Sequence, residues 1–170
     1  SGGVGDTLTC DYTFSDDDSD SNQSIVTWTV DSVVAGTGDT LDTGFVGGQD
    51  IVCTVTPNDG VEDGVDASAN FTVPNTAPTV SSITITPDPA VYGANLFCAY
   101  SYADPDDPTG ANDGSTYYWE INGVPAGTSN SPLTGGFVGA DLVTCTVSAH
   151  DGVEAGNSDT DTLTISNTAP

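Results

Sequence analysis

Apolar residues alternate with polar ones in short runs along most of the chain. Leu8, Cys10, Tyr12 and Phe14 share one face of an extended segment, and Leu96, Cys98, Tyr100 and Tyr102 repeat that face later. Val26, Trp28 and Val30 form a second run, matched by Tyr117, Trp119 and Ile121. Ile51, Cys53 and Val55 form a third, matched by Val143, Cys145 and Val147. Closing runs carry Phe71 and Val73, then Leu163 and Ile165. Alternation with a period of two puts successive side chains on opposite faces of a half-buried strand. Gly, Asn, Asp and Pro clusters separate the runs and no stretch has a helical period, so the pattern predicts an all-β chain.

The runs come in pairs because the chain is an internal repeat, a signal that outranks single-element readings. Gly44-Phe45-Val46-Gly47 returns as Gly136-Phe137-Val138-Gly139, and Cys53-Thr54-Val55 as Cys145-Thr146-Val147. Asp59-Gly60-Val61-Glu62 returns as Asp151-Gly152-Val153-Glu154, and Asn75-Thr76-Ala77-Pro78 as Asn167-Thr168-Ala169-Pro170. All four lie 92 positions apart, whereas Cys10 and Cys98 lie 88 apart, so the second copy holds a four-residue insertion. The expected domains are 1–78 and 79–170. The second opens on a strand, Val80 to Thr86, that the first copy lacks. Either the chain is cut from a longer array, or a neighbouring subunit donates the missing strand by β-strand addition.

Composition narrows the possible partners. The 170 residues contain no Lys or Arg against 25 Asp and Glu, a formal charge of −25. Nucleic acid and anionic membrane surfaces are therefore excluded as expected partners, because binding them rests on basic side chains. The 36% hydrophobic content in alternating runs argues against disorder. A halophilic solvent shell is one source of such acidity. However, only Glu62, Glu120 and Glu154 are Glu, and Asp is the carboxylate of loops and calcium sites. No run is long and apolar enough to span a membrane. With no Met at position 1 and no leader-like start, a mature product or an internal fragment is expected.

Each copy places a Cys on an inward strand position, a Trp one strand later, and a second Cys after that. This order resembles the immunoglobulin sandwich, in which a disulfide joins strands B and F beside the strand-C Trp. The spacing departs from antibody domains: Cys10 to Trp28 and Cys98 to Trp119 leave a long B–C connection, and the Tyr two residues before the second Cys is absent. The resemblance implies two tandem immunoglobulin-like antiparallel β-sandwiches. Four Cys allow three pairings, and the repeat selects Cys10–Cys53 and Cys98–Cys145. Disulfides imply an oxidising compartment, hence an extracellular or cell-surface location. A four-Cys zinc site is disfavoured, because the Cys lie far apart and inside strands.

The long B–C loops hold the densest chemistry: Asp16-Asp17-Asp18-Ser19-Asp20 in the first copy and Asp104-Pro105-Asp106-Asp107 in the second. Calcium takes hard oxygen ligands, which closely spaced Asp residues supply. Without a cation, such a cluster is repulsive by about 1 kcal/mol per pair near 4 Å even in water. In a sandwich the F–G loop lies at the same end, adding Asp59 and Glu62, or Asp151 and Glu154. Chain direction then predicts domains joined head to tail, with the linker at Asn75 and its counterpart Asn167 beside acidic loops. This resembles cadherin repeats, and the immunoglobulin-like, PKD-like and cadherin-like repeats of large bacterial and archaeal surface and filament proteins. The resemblance implies bound calcium, with ligand roles for Asp16, Asp18, Asp20, Asp59 and Glu62, and for Asp104, Asp106, Asp107, Asp151 and Glu154. A merely solvated acidic loop is the competing reading, and His150, the only His, reads as a surface residue.

No catalytic constellation emerges: there is no Lys, no spare Cys, one His and no phosphate-binding Gly loop. The sequence therefore predicts a non-enzymatic structural repeat of a secreted filament, stalk or adhesin, partnered by copies of itself or neighbouring repeats. The alternative is a loop-based adhesion module binding carbohydrate or protein, for which Tyr117 and Tyr118 are the candidate contacts.

Overall fold

The computed structural model describes residues 2–169. These residues form thirteen strands and no helix, and every strand pairing is antiparallel. The chain divides into two compact units between Thr76 and Ala77. The first holds β1 (Leu8–Thr9), β2 (Ile25–Val30), β3 (Val33–Thr37), β4 (Thr40–Leu41), β5 (Asp50–Thr56) and β6 (Ala67–Thr72). Its four-stranded sheet runs β3-β2-β5-β6, and a small sheet pairs β1 with β4. The second holds β7 (Thr79–Thr86), β8 (Asn95–Ala103), β9 (Thr116–Ile121), β10 (Val124–Pro125), β11 (Leu133–Thr134), β12 (Leu142–His150) and β13 (Ala155–Thr164). Its sheets run β10-β9-β12-β13 and β11-β8-β7.

Each unit closes on the same lock. Cys10 is bonded to Cys53 and Cys98 to Cys145, with Cα atoms 6.3 and 6.5 Å apart, so each disulfide ties a strand or strand edge of the small sheet to the central strand of the large one. Trp28 stands opposite Cys53 in the ladder and Trp119 opposite Cys145. Both indoles are buried, and each N–H donates to a loop carbonyl, Gly38 at 2.8 Å and Asn130 at 3.0 Å. A buried indole without that acceptor leaves a costly unpaired donor. In the chain-entropy picture, closing loops of 43 and 47 residues stabilises each unit by about 4 kcal/mol.

The repeated Gly-Phe-Val-Gly motif is a second anchor. Phe45 and Phe137 are buried in their cores. The turn that follows bonds to the end of the chain in each unit: Gly48 N–H donates to Val73 and Ala140 N–H to Ile165, both at 2.8 Å. Two hairpins absent from the alternation analysis flank the tryptophan strands. Asp31-Ser32 and Asn122-Gly123 both have positive φ at both residues, the backbone that a tight two-residue hairpin requires.

One strand differs from expectation. The run Leu8 to Phe14 reads as a full strand, yet only Leu8–Thr9 forms a ladder, against Thr40–Leu41. Its counterpart β8 is nine residues long because it pairs with β11 on one edge and β7 on the other. Among the described residues, none pairs with Cys10 to Phe14 as β7 pairs with β8. The second core is accordingly larger, with Val80, Ile83 and Ile85 of β7 inside it.

Within the second unit β7 is also held from its other side. Asn157 accepts from Val80 N–H at 2.7 Å and donates back to Val80 C=O at 2.9 Å, while Asp161 accepts from Ile85 N–H at 2.8 Å. Gly156 packs so close to Pro78 that an added Cβ would overlap the Pro78 carbonyl. We expect Gly156→Ala to destabilise this unit by about 1–3 kcal/mol, the usual cost of overpacking. Ala140, held at φ 71° where its counterpart is Gly48, gives the opposite expectation. Ala140→Gly relieves a left-handed penalty of about 1–2 kcal/mol and returns part of it as chain entropy, for a net gain of about 0.5–1 kcal/mol. Thermal unfolding of the two variants against wild type checks both signs.

Candidate functional site

The acidic loops lie where β-sandwich geometry puts them, side by side at one end of each unit. In the first unit the loop before β2 is tied to the loop after β5 by Gln23 N–H donating to Asn58 C=O at 2.8 Å. In the second, Gly114 N–H donates to His150 C=O, also at 2.8 Å. A Cβ on Gly114 would meet that carbonyl at 3.3 Å, which favours glycine there. Thr79, the first residue of β7, pairs with Ala103, directly before Asp104. The start of the second unit therefore sits at its acidic end.

In the first unit Asp16, Asp59, Glu62 and Asp63 line one hollow of about 170 Å³, together with Phe14, Pro57 and Asn58. Three of the five residues predicted as ligands are thus brought to one place. Asp18 and Asp20 are not among its walls; their backbone N–H groups donate to Asp16 Oδ1, at 2.8 and 3.2 Å. Asp59 Oδ1 accepts from Glu62 and Val61 N–H at 2.8 and 2.7 Å, and these donors, Glu62 foremost, hold its carboxyl below the usual range. Asp63 accepts from Asn58 Nδ2 at 2.7 Å.

In the second unit Asp104 and Asp151 are the buried charged residues, only 6% and 7% exposed. Asp151 Oδ1 accepts from Val153 and Glu154 N–H, at 2.7 and 2.6 Å, as its counterpart Asp59 does. Asp104 Oδ1 accepts from Asp106 N–H at 2.8 Å, and Asp104 Oδ2 from the Tyr102 hydroxyl at 3.3 Å. Asp107 spends both oxygens on its own loop: Oδ1 accepts from Thr109 N–H and hydroxyl, Oδ2 from Asn112 N–H at 2.7 Å. Those donors, the Thr109 hydroxyl foremost, hold its carboxyl below the usual range. Among the described residues, no three His, Cys, Asp or Glu side chains stand together as a preformed metal cage. The donors are hard oxygens, as calcium requires, but each leading Asp already organises a turn.

Tyr102 shows the electrostatics of this end most directly. Burial, then the charge of Asp104 and the hydrogen bond to it, then the charges of Asp113 and Asp151, push its hydroxyl up to about 12. Tyr100 is also raised, by burial first and then by its hydroxyl donating to Asp113 at 2.9 Å. Asp104, Asp113 and Asp151 thus act on a single hydroxyl.

Of the other sequence candidates, Tyr117 packs against the core and meets Tyr100 edge-on at 5.7 Å, which leaves Tyr118 as the exposed one of the pair. His150 Nδ1 accepts from Gly152 N–H at 2.8 Å and serves its own turn. Asn167 packs tightly against Gly139, whose added Cβ would meet the Asn167 Cα at 2.9 Å. Asn75, the other linker residue, has polar interactions of its own. Sequence reasoning missed Asn157 and Asp161, which hold β7; polar side chains on an otherwise plain strand were the available signal. No described helix is long and apolar enough to cross a membrane. The two disulfides fit a non-reducing environment. No protein-family model matches the chain, and no curated protein matches it.

The tyrosine gives a pH test. Unfolded, Tyr102 ionises near its ordinary 10.0; folded, near about 12. Over that interval the folded state binds the extra proton, so stability falls as pH rises from about 10 to 12. Spectrophotometric titration is expected to show late tyrosinate formation. Asp104→Asn should bring the Tyr102 step part of the way back, leaving the share due to burial.

Proposed function

We propose that the chain is a structural repeat unit of a secreted, acidic filament, stalk or adhesin at the cell surface, and not an enzyme. In this reading both units are immunoglobulin-like sandwiches joined head to tail. The observation that carries it is the duplicated lock: the same disulfide, tryptophan and phenylalanine anchors occur in both units. A duplicated, shape-determining pattern suits spacer or mechanical work, in which each repeat does the same job. The oxidised cysteines support an extracellular location, and the −25 charge supports cations as natural companions of the surface.

Calcium is the proposed cofactor. It would be drawn to the first-unit hollow, where Asp16, Asp59, Glu62 and Asp63 offer oxygens, and to the Asp104–Asp151 end of the second unit. Because the leading carboxylates already close turns, binding is expected to tighten loops that are formed without it. Extracellular calcium modules bind with dissociation constants of about 10⁻⁴ to 10⁻³ M. At about 10 mM calcium, such binding adds about 1.4–2.7 kcal/mol per site to stability.

Thermal unfolding under non-reducing conditions, with calcium and after chelation, tests this directly. A rise of several degrees in melting temperature is expected, and Asp59→Asn should reduce it. Identical curves with and without the ion would remove calcium from the proposal. Electron microscopy of the parent polypeptide tests the filament reading separately: extended particles are expected, and compact ones at every calcium concentration would overturn it.

A further inference from the structure

The turn that leads into the tryptophan strand is built twice, and the two copies differ at the residue that closes it. By the spacing of Trp28 and Trp119, Asn22, Gln23 and Ser24 correspond to Asp113, Gly114 and Ser115. Ser24 N–H donates to Asn22 Oδ1 and Ser115 N–H to Asp113 Oδ1, each at 2.9 Å. Both turns also face a tyrosine: Asn22 Nδ2 lies 3.4 Å from the Tyr12 hydroxyl, and the Tyr100 hydroxyl donates to Asp113 Oδ2 at 2.9 Å. A carboxylate therefore suffices to close this turn, so the turn itself does not account for an amide in the first unit. The amide goes with one further bond. Ser24 Oγ donates to Asn22 Oδ1 at 2.6 Å, whereas Ser115 Oγ is buried without a partner among the described residues.

We propose that Asn22 is the acceptor of an N-linked glycan. Asn22-Gln23-Ser24 has the Asn-x-Ser pattern of an acceptor, with no proline in the middle. Asn22 is exposed, and the 3.4 Å contact of its Nδ2 is at the long limit of a hydrogen bond, which leaves the nitrogen open to a reagent. The Ser24 hydroxyl on the amide oxygen draws charge toward it and makes the Nδ2 protons more acidic. The sugar donor is an oligosaccharide on a polyprenyl phosphate or diphosphate. Nδ2 bonds to the sugar C1, the bond from C1 to the phosphate oxygen breaks, the lipid phosphate leaves with that electron pair, and Nδ2 gives up one proton. The chain's other triplet of this kind, Asn70-Phe71-Thr72, is arranged differently. Asn70 pairs with Val52 inside the β5-β6 ladder, and the Thr72 hydroxyl donates to Asp50 Oδ1 at 2.7 Å. The assignment is therefore to Asn22 alone. Asn22 is not among the walls of the hollow around Asp16 and Asp59, so a sugar there leaves the proposed cation site free. The inference rests on the secreted reading, since a chain meets lipid-linked sugars as it leaves the cytosol.

The test is peptide mass spectrometry on the protein recovered from its source cells and from their surroundings. An acid-directed protease makes the cuts, because the chain has no Lys or Arg for trypsin. The peptide holding Asn22 is expected to carry the mass of whole sugar residues, and the peptide holding Asn70 none. Expressed in the same cells, Ser24→Ala is expected to lose the sugar and Ser24→Thr, which restores a hydroxyl, to keep it; the second variant separates a missing hydroxyl from a damaged loop. A bare Asn22 on protein found outside the cell overturns this inference alone. So does sugar on Asn70 with none on Asn22, or sugar that persists in Ser24→Ala. Protein confined to the cytosol overturns the secreted reading, and this inference with it.

Discussion

The covalent bond between the two sheets is the constraint from which the rest of each unit follows. A disulfide fixes the spacing of the strands it joins, and the tryptophan opposite one of its cysteines is buried beside it. That geometry places the indole N–H at the edge of the core, where a loop carbonyl has to meet it. Gly38, ten residues after Trp28, and Asn130, eleven after Trp119, supply that carbonyl. The loop after the tryptophan hairpin is therefore positioned by the core, although its sequence differs between the copies. Without the bonds, the first unit would rest on a core of few buried residues, and small domains with thin cores have little stability to spare.

Much of this was legible from alternation and repetition. The inward positions of β2, β5, β9 and β12 were readable because each strand packs on one face, so apolar and polar residues alternate strictly. The cysteine partners were readable because the repeat leaves one self-consistent pairing. The short edge strands were harder. Val33–Thr37 and Val124–Pro125 bury almost nothing and carry no periodicity of their own, yet Asn122-Gly123 between Ile121 and Val124 is a strong hairpin signal. Leu8 to Phe14 failed for the opposite reason. The alternation is present, but a ladder needs a partner along its length, and a side-chain pattern does not reveal which residues supply it.

The acidic loops show where composition stops being informative. A run of Asp reads equally as a set of ion ligands or as a set of turn formers, since the same carboxylate oxygen accepts a metal or a backbone N–H. Here the leading residue of each cluster does the second. Asp16, Asp59, Asp104, Asp107 and Asp151 each accept main-chain N–H groups within their own loop. This organises the loops without a cation and accounts for the carboxylate acidity of Asp59 and Asp107. It leaves the repulsion between neighbours only partly relieved, because hydrogen bonding lowers the energy of each carboxylate but does not neutralise it.

The contrast between the units bears most directly on function. The same Cys-Trp-Cys lock is built in both units, and in the second β7 lies beside it, paired with β8. There, side chains of β13 grip β7 and its aliphatic residues complete the core. In the first unit the positions of those polar grips hold Val65 and Ala69. Both cores close on the same disulfide, tryptophan and phenylalanine anchors although those side-chain grips are not shared, which suits the proposed work of a unit repeated for its shape.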